Sequence, residues 1–414
     1  MALKQLTEDN IFFIKCLFYY FKVLGIAPIS LYTRSTKKNA SQCVVFTRSN
    51  RALVYDVVLI LILVTANIYK ILYLCLRVSS TKIITIEAVT NCLEDFVACL
   101  SAVFILIIIC FSWEKLCAVV NAISGLTECL DGFGVENPKK YKLQLEICMI
   151  IFVNITTWIL VFVITAVAEF SYLLYDTIMY SNVIVVNVLL IQYSVVLKLL
   201  RHNFKMLNKN LLVICQEVPI KIQSSVESNG SVERLSQLRK LHASICKVSR
   251  DVSNYYSYPT LACVVCVFYT LIYTCYYIAR PIVLYHQNLR GDMFVMSLFY
   301  GLLLVLSVVI LTKSVTATID ESGRTKEIIN AGLLRFEDDE KMSKKVMGLV
   351  KNILENYWID GTFCFQLNQF SSYLLHTDVK FKVSELFSLD DSLLTSMAGS
   401  IATYLVIVFQ FLQK

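Results

Sequence analysis

Apolar residues in this chain come in long runs. Seven runs, 52–76, 83–112, 143–168, 178–200, 256–279, 292–316 and 391–412, are each apolar over about twenty residues or more. A helix of that length crosses the hydrocarbon core of a bilayer. The alternating ten-residue segments of barrel strands do not occur. The pattern predicts an all-α polytopic membrane protein with seven transmembrane helices. An eighth apolar stretch, Ile11 to Ile29, carries Lys15 and Lys22 on one helical face and ends at Pro28. It reads as an interfacial or packed amphipathic helix.

Between the spans the apolar period changes. Leu235, Leu238, Leu241, Ile245, Val248 and Val252 follow one another at steps of three or four, which predicts an amphipathic helix feeding the fifth span. Ile329, Leu333, Phe336, Val346, Leu349 and Ile353 predict another within 321–357. The polar stretch Ser224 to Ser231, with Asn229-Gly230, reads as a flexible loop. The chain thus divides into an N-terminal segment (1–51), six spans within 52–316, two helical connections (201–255 and 317–390) that suit either a cytoplasmic anchor or an intramolecular bundle, and a last helix (391–414).

Composition agrees with this reading. Of 414 residues, 57% are hydrophobic and 17% charged, against about 45–50% and about 25% in soluble proteins. The placement of charge is more informative. Thirty-two of the 38 Lys and Arg residues fall in the N-terminal segment and the second-to-third, fourth-to-fifth and sixth-to-seventh connections, all on one side. Basic residues mark the cytoplasmic face, so the N-terminus is expected inside and the C-terminus outside. That is the inverse of a G-protein-coupled receptor. The net charge of +7 then labels a membrane face and calls for no nucleic-acid partner.

Catalytic chemistry finds no footing. No P-loop, dinucleotide fingerprint or nucleophile elbow is present, so no enzyme is expected. The four histidines show no ligand spacing, and neither a metal nor a cofactor is expected. Cys263-Val-Val-Cys266 lies inside a span and reads as packing. The sequon Asn154-Ile-Thr156 falls within the membrane, and those at Asn39 and Asn229 fall inside, so none is expected to carry a glycan.

The last helix carries the sharpest pattern. Ser392, Ser396, Gly399, Ser400, Thr403, Ile407 and Gln410 share about 100° of arc. Such a stripe of small and polar residues either lets helices pack closely or lines an aqueous pore. Asp390 and Asp391 at its start read as N-capping charges, or as a ring of negative charge at a cation pore mouth.

Thr403-Tyr404-Leu405-Val406-Ile407-Val408-Phe409-Gln410-Phe411 matches the signature of insect gustatory receptors: Thr-Tyr, five hydrophobics, Gln-Phe. It stands in the last helix, where that family has it, and the chain's length and span pattern resemble the family throughout. The resemblance implies a ligand-gated nonselective cation channel, assembled as a homotetramer or as a heterotetramer with related subunits. It implies a place in the plasma membrane, in sensory-neuron dendrites, among membrane lipids. The last helix of each subunit would line one central pore for permeating cations. Gln410 and Phe411 would form the gate with Ile407 next inward, Ser400 on the same stripe, and Thr403 and Tyr404 setting the helix rotation.

Candidate ligand-binding residues lie in the halves of the spans expected outside. Glu87, Asn91, Glu94 and Asp95 share a face of the second span, and ionisable groups at that depth face a cavity or a partner. Trp158, Phe162 and Thr165 on the third span add aromatic and polar surface. So do Tyr180, Asn182 and Asn187 on the fourth, Tyr269, Tyr273 and Tyr276 on the fifth, and Tyr300 on the sixth. The acidic cluster points to a small-molecule tastant with a basic nitrogen. A bitter plant compound, as for a lepidopteran-type bitter receptor, is the favoured agonist, and a fructose-type sugar the alternative. A secondary transporter is the rival class; it would show internal repeats and broken midplane helices, which the sequence lacks.

Overall fold

The computed structural model describes residues 2–35, 42–81, 86–133, 140–168, 173–221, 228–283, 291–346 and 354–412. Ten helices and two small hairpins lie in this order: α1 (Ala2–Val23), β1 (Ile29–Ser35), β2 (Gln42–Arg48), α2 (Asn50–Thr81), α3 (Ile86–Phe111), α4 (Trp113–Asp131), α5 (Lys140–Ala168), α6 (Leu173–Lys221), α7 (Ser228–Val283), α8 (Gly291–Val346), α9 (Leu354–Leu375), β3 (Lys382–Val383), β4 (Phe387–Ser388) and α10 (Asp391–Leu412).

Six of these helices, α2, α3, α5, α6, α7 and α8, are long and apolar enough to cross a membrane. Asp391–Ile407 of α10 is a shorter apolar helix. α6 runs through the middle and touches α2, α3, α4, α5, α7 and α8. Its segment from Tyr180 to Leu197 is almost wholly buried, because Val, Leu and Ile occupy nearly every face. On α2 and α5 one face is exposed and still apolar, including Leu61, Ile62, Leu72, Phe152, Ile159 and Val163. An exposed apolar belt of that size suits lipid and not water.

α6, α7 and α8 contain 49, 56 and 56 residues. At 1.5 Å per residue they reach about 70–85 Å, more than twice a hydrocarbon core. The excess forms a second bundle with α4 and α9. There Phe204, Leu207 and Leu211 meet Leu235, Leu238, Ile245, Ile329, Leu367 and Phe370. The His242 ring lies edge-on to Phe204, Phe370 and Tyr373 at 5.6–6.0 Å. Asn208 ties two helices, donating to the Glu321 carbonyl at 2.8 Å and accepting from Thr325 Oγ1 at 2.7 Å.

Several details differ from the sequence expectations. The polar stretch around Asn229-Gly230 is helical from Ser228 onward, because α7 begins there and continues without a break into the fifth span. The helix expected over 321–357 is the tail of α8 to Val346 and the start of α9 at Leu354; Leu349 and Ile353 lie outside the described residues. α4 and both hairpins were not anticipated. The first apolar helix ends at Val23, not at Pro28. Gly25 adopts φ +73 there, with its N–H on the Lys22 carbonyl and the Ile26 N–H on that of Phe21, each at 3.0 Å. This is the paired bonding of a Schellman end, and a Cβ on Gly25 would stand 2.7 Å from Leu59 Cδ2.

Pro259 sits inside α7. It has no N–H to donate, so the Tyr255 carbonyl loses its usual helical partner. One turn earlier the β3–β4 hairpin is seated on α7: Ser384 N–H donates to Ser257 Oγ at 2.7 Å, and Lys382 N–H to Ser253 Oγ at 3.3 Å.

Candidate ligand pocket and pore helix

The acidic cluster of the second span is buried. Glu94 is 2% and Asp95 6% exposed. Lys70 of α2, itself buried, places Nζ 2.6 Å from Asp95 Oδ1. One oxygen of Glu94, Oε1, is buried with no hydrogen-bond partner among the described residues. The side chains of Glu87 and Asn91 lie outside the described ones.

The predicted aromatic residues of three helices meet beside this pair. Trp158 and Phe162 of α5 pack on Tyr180 of α6, with ring centroids 6.2 and 5.7 Å apart. Tyr300 of α8 closes the group, 5.8 Å from Tyr180 and 6.4 Å from Trp158. Thr165 Oγ1 lies 3.3 Å from the Tyr180 hydroxyl. The Tyr300 hydroxyl is buried without a hydrogen bond among the described residues and within electrostatic reach of Glu94 and Asp95. Acid pair and aromatic cluster therefore form one neighbourhood between α3, α5, α6 and α8.

The α7 tyrosines are arranged differently. Tyr276 is buried, Tyr273 lies 6.0 Å from Tyr277 ring to ring, and Tyr269 is half-buried. Tyr269 is within electrostatic reach of both Glu94 and Tyr404 of α10. It thus lies near both the acidic pair and the last helix.

α10 rests on α7 and α8 through Leu393 and Met397, with Ile401 and Leu405 half-buried along the same edge. The small and polar stripe is on the other side. Ser392, Ser396, Gly399, Ser400, Thr403, Ile407 and Gln410 are all exposed, as is Tyr404. The Phe411 side chain lies outside the described ones. The two acidic residues at the start of α10 have separate partners. Asp390 caps the helix, accepting from Ser392 N–H at 3.0 Å and from the hydroxyls of Ser392 and Ser388. These hydrogen bonds hold its carboxyl below the usual carboxylate range. Asp391 pairs with Lys313 of α8 at 2.9 Å.

The sequence profile described as 7tm chemosensory receptor matches residues 14–414. The chain belongs to that family. Two relatives are gustatory receptors 28b and 28a of Drosophila melanogaster. They are 22% identical over 190 residues and 23% identical over 183 residues. These matches cover 45% and 43% of this chain, and 36% and 35% of the relatives. The matched part thus spans about a third of the length of either relative.

Several residues of the receptor's interior were not anticipated as partners. Asn187, expected to face a ligand, is fully buried and engaged at both ends of its amide. Its Oδ1 accepts from Asn154 Nδ2 and, at 3.3 Å, from Trp158 Nε1, while its Nδ2 donates to Ser307 Oγ. Tyr20 of α1 donates to Asn154 Oδ1 at 3.0 Å. Asn154 is thus part of a buried network, and its sequon is out of reach of a glycan. Asn67 and Asn182 exchange amide hydrogen bonds of 3.1 and 2.8 Å between α2 and α6. Beside the network, a groove of ≈ 240 Å³ lies between α5 and α8 over Asn154, Thr157 and Ser307. Each network residue is a polar break in an apolar run, which is the one signal the sequence offered.

Proposed function

We propose that this receptor is a ligand-gated nonselective cation channel of the plasma membrane of sensory neurons, opened by a small tastant. The observation that carries this reading is α10. Its apolar edge is packed on the chain's own helices and its whole small, polar stripe is left outward. Four copies of that stripe around an axis would make a wettable passage for cations, as homotetramer or heterotetramer. In that assembly Gln410, Phe411 and Ile407 form the gate. Thr403 and Tyr404 set its rotation. The charge bias supports an orientation with the N-terminus inside, so α10 enters from the cytoplasmic side.

The ligand reading rests on the acidic and aromatic neighbourhood. A bitter plant compound with a basic nitrogen would part the Trp158, Tyr180 and Tyr300 rings and set its cation near Glu94. Tyr269, near both Glu94 and Tyr404, supplies a route from that event to α10. A fructose-type sugar is the alternative agonist, since aromatic walls with carboxylates suit both.

The test is expression of the chain alone, with a panel of bitter compounds and sugars, recording current while G-protein signalling is blocked. Ligand-evoked cation current is the expected result. Solute uptake without current would overturn it in favour of a transporter.

A further inference from the structure

A cavity of ≈ 440 Å³ lies away from the aromatic cluster, between α8 and the strand-containing segment that leads into α10. Its walls include Gly323 and Lys326 of α8 and Asp378, Lys380, Lys382 and Asp390 of the segment. Three lysines therefore line one hollow, and two of them reach a carboxylate of its wall. Lys326 Nζ lies 2.9 Å and Lys380 Nζ 3.8 Å from opposite oxygens of the same carboxylate, Asp378. Lys382 bridges Glu385 at 2.8 Å. Asp390 is turned to its own helix as the cap of α10. Two lysines thus share one acid, and the bridges are solvent-exposed, a kind that contributes only about 0–1 kcal/mol and exchanges readily.

Gly323 supplies a second observation. It stands in the interior of a 56-residue helix, where glycine costs about 1 kcal/mol relative to alanine. A Cβ there would meet nothing within 4 Å. Close packing does not demand the glycine, and the space beside it is open. The position along the helix also matters. Lys313, which pairs with Asp391 where α8 and α10 leave the apolar zone, is thirteen residues before Lys326. That is about 20 Å of helix, which places Lys326 on the part of α8 beyond the apolar run 292–316.

We propose that this cavity binds a phosphorylated inositol, as a phosphoinositide headgroup or as the free inositol phosphate. Phosphate groups on a compact ring would replace Asp378 on Lys326 and Lys380 with stronger charge-assisted hydrogen bonds. Juxtamembrane lysine clusters on a cytoplasmic face meet such anions; this clause rests on the orientation proposed above. Because the cavity wall is the segment that roots α10, occupancy sets the starting position of that helix.

The test is binding by the full-length receptor in phosphatidylcholine nanodiscs. The probes are dioctanoyl phosphatidylinositol 4,5-bisphosphate and free inositol 1,4,5-trisphosphate, with inositol as the uncharged control. Saturable binding of the lipid is expected, weakened at least tenfold by Lys326→Gln/Lys380→Gln and by Gly323→Leu, which fills the space without changing charge. Asp378→Asn, a surface isostere that frees two lysines, should tighten it severalfold and keeps the test alive if Gly323→Leu does not fold. Equal affinity for the trisphosphate assigns a soluble ligand, and preference for the lipid assigns the membrane. No binding above inositol, or unchanged affinity in these variants, overturns the proposal. Binding needs no current, so this test stands apart from the channel reading and its failure leaves that reading untouched.

Discussion

Lys70 of α2 and Asp95 of α3 form an ion pair at 2.6 Å in which both side chains are more than nine-tenths shielded. Removing one member leaves the other charged in a medium that solvates it poorly. Lys70→Met should therefore lower the stability of the purified receptor by about 3–5 kcal/mol, seen as a marked fall in Tm in detergent. Lys70→Met combined with Asp95→Leu should recover most of the loss. A single variant as stable as wild type would contradict the pairing.

The same pair decides which carboxylate can greet a ligand. Asp95 already has a cation, and Glu94 has an unengaged oxygen. Glu94→Gln should raise the half-maximal concentration of amine-bearing agonists at least tenfold, about 1.4 kcal/mol or more. It should leave responses to uncharged sugars within twofold. Dose–response curves of evoked current read this directly.

Asn187 joins α5, α6 and α8. Asn187→Leu strands the Asn154 amide N–H and the Trp158 indole N–H, while Ser307 keeps its bond to the Leu303 carbonyl. The expected cost is about 1–3 kcal/mol, again measured as Tm. Asn67→Leu, which breaks a pair and not a hub, should cost less.

On α10, cysteines placed on the outward stripe should report the passage. Currents through Thr403→Cys and Gln410→Cys should be blocked by charged methanethiosulfonate reagents. Ala402→Cys, exposed but off the stripe, should be insensitive. Block at Ala402 with none at Thr403 would place a different face on the axis.

Asp390 gives a pH prediction. Its carboxyl is held below the ordinary range by the Ser392 and Ser388 hydrogen bonds, so its capping contribution is complete above the unfolded carboxylate value. That contribution is lost only as pH falls through the lower folded one. Asp390→Ala should cost about 1 kcal/mol, and Asp390→Asn much less. The Tm gap between wild type and Asp390→Ala should be constant above pH 5 and shrink below about pH 4.

The spans were legible because a bilayer demands long apolar runs, and α2, α3 and α5 to α8 meet that demand plainly. The stripe of α10 was legible for the same reason, since Ser400, Thr403 and Gln410 stand out against leucine and valine. Pairings were not. Asp95 stood out as a charge in a span, but nothing in one chain says that Lys70 of α2 meets it at that height. Asn154 stood out only as an unused sequon, because its partners, Tyr20 and Asn187, come from helices distant in sequence. α4 carries its own signal, Leu116, Val119, Ile123, Leu126 and Leu130 at steps of three and four, and is too short of apolar residues to register as a span. The β1–β2 hairpin escaped because Ile29 to Ser35 hardly alternates.

Pro259 has a mechanical consequence. The half of α7 after it bears Tyr269 and Tyr276, and the half before it is clamped in the second bundle. With one backbone bond missing between them, the rod can flex there at little cost. The hairpin that roots α10 is bolted to the turn just below, at Ser253 and Ser257. Ser253 and Ser257 lie before Pro259, on the clamped side, so the hinge acts as a decoupler: a lean of the tyrosine-bearing half leaves the base of α10 where it is.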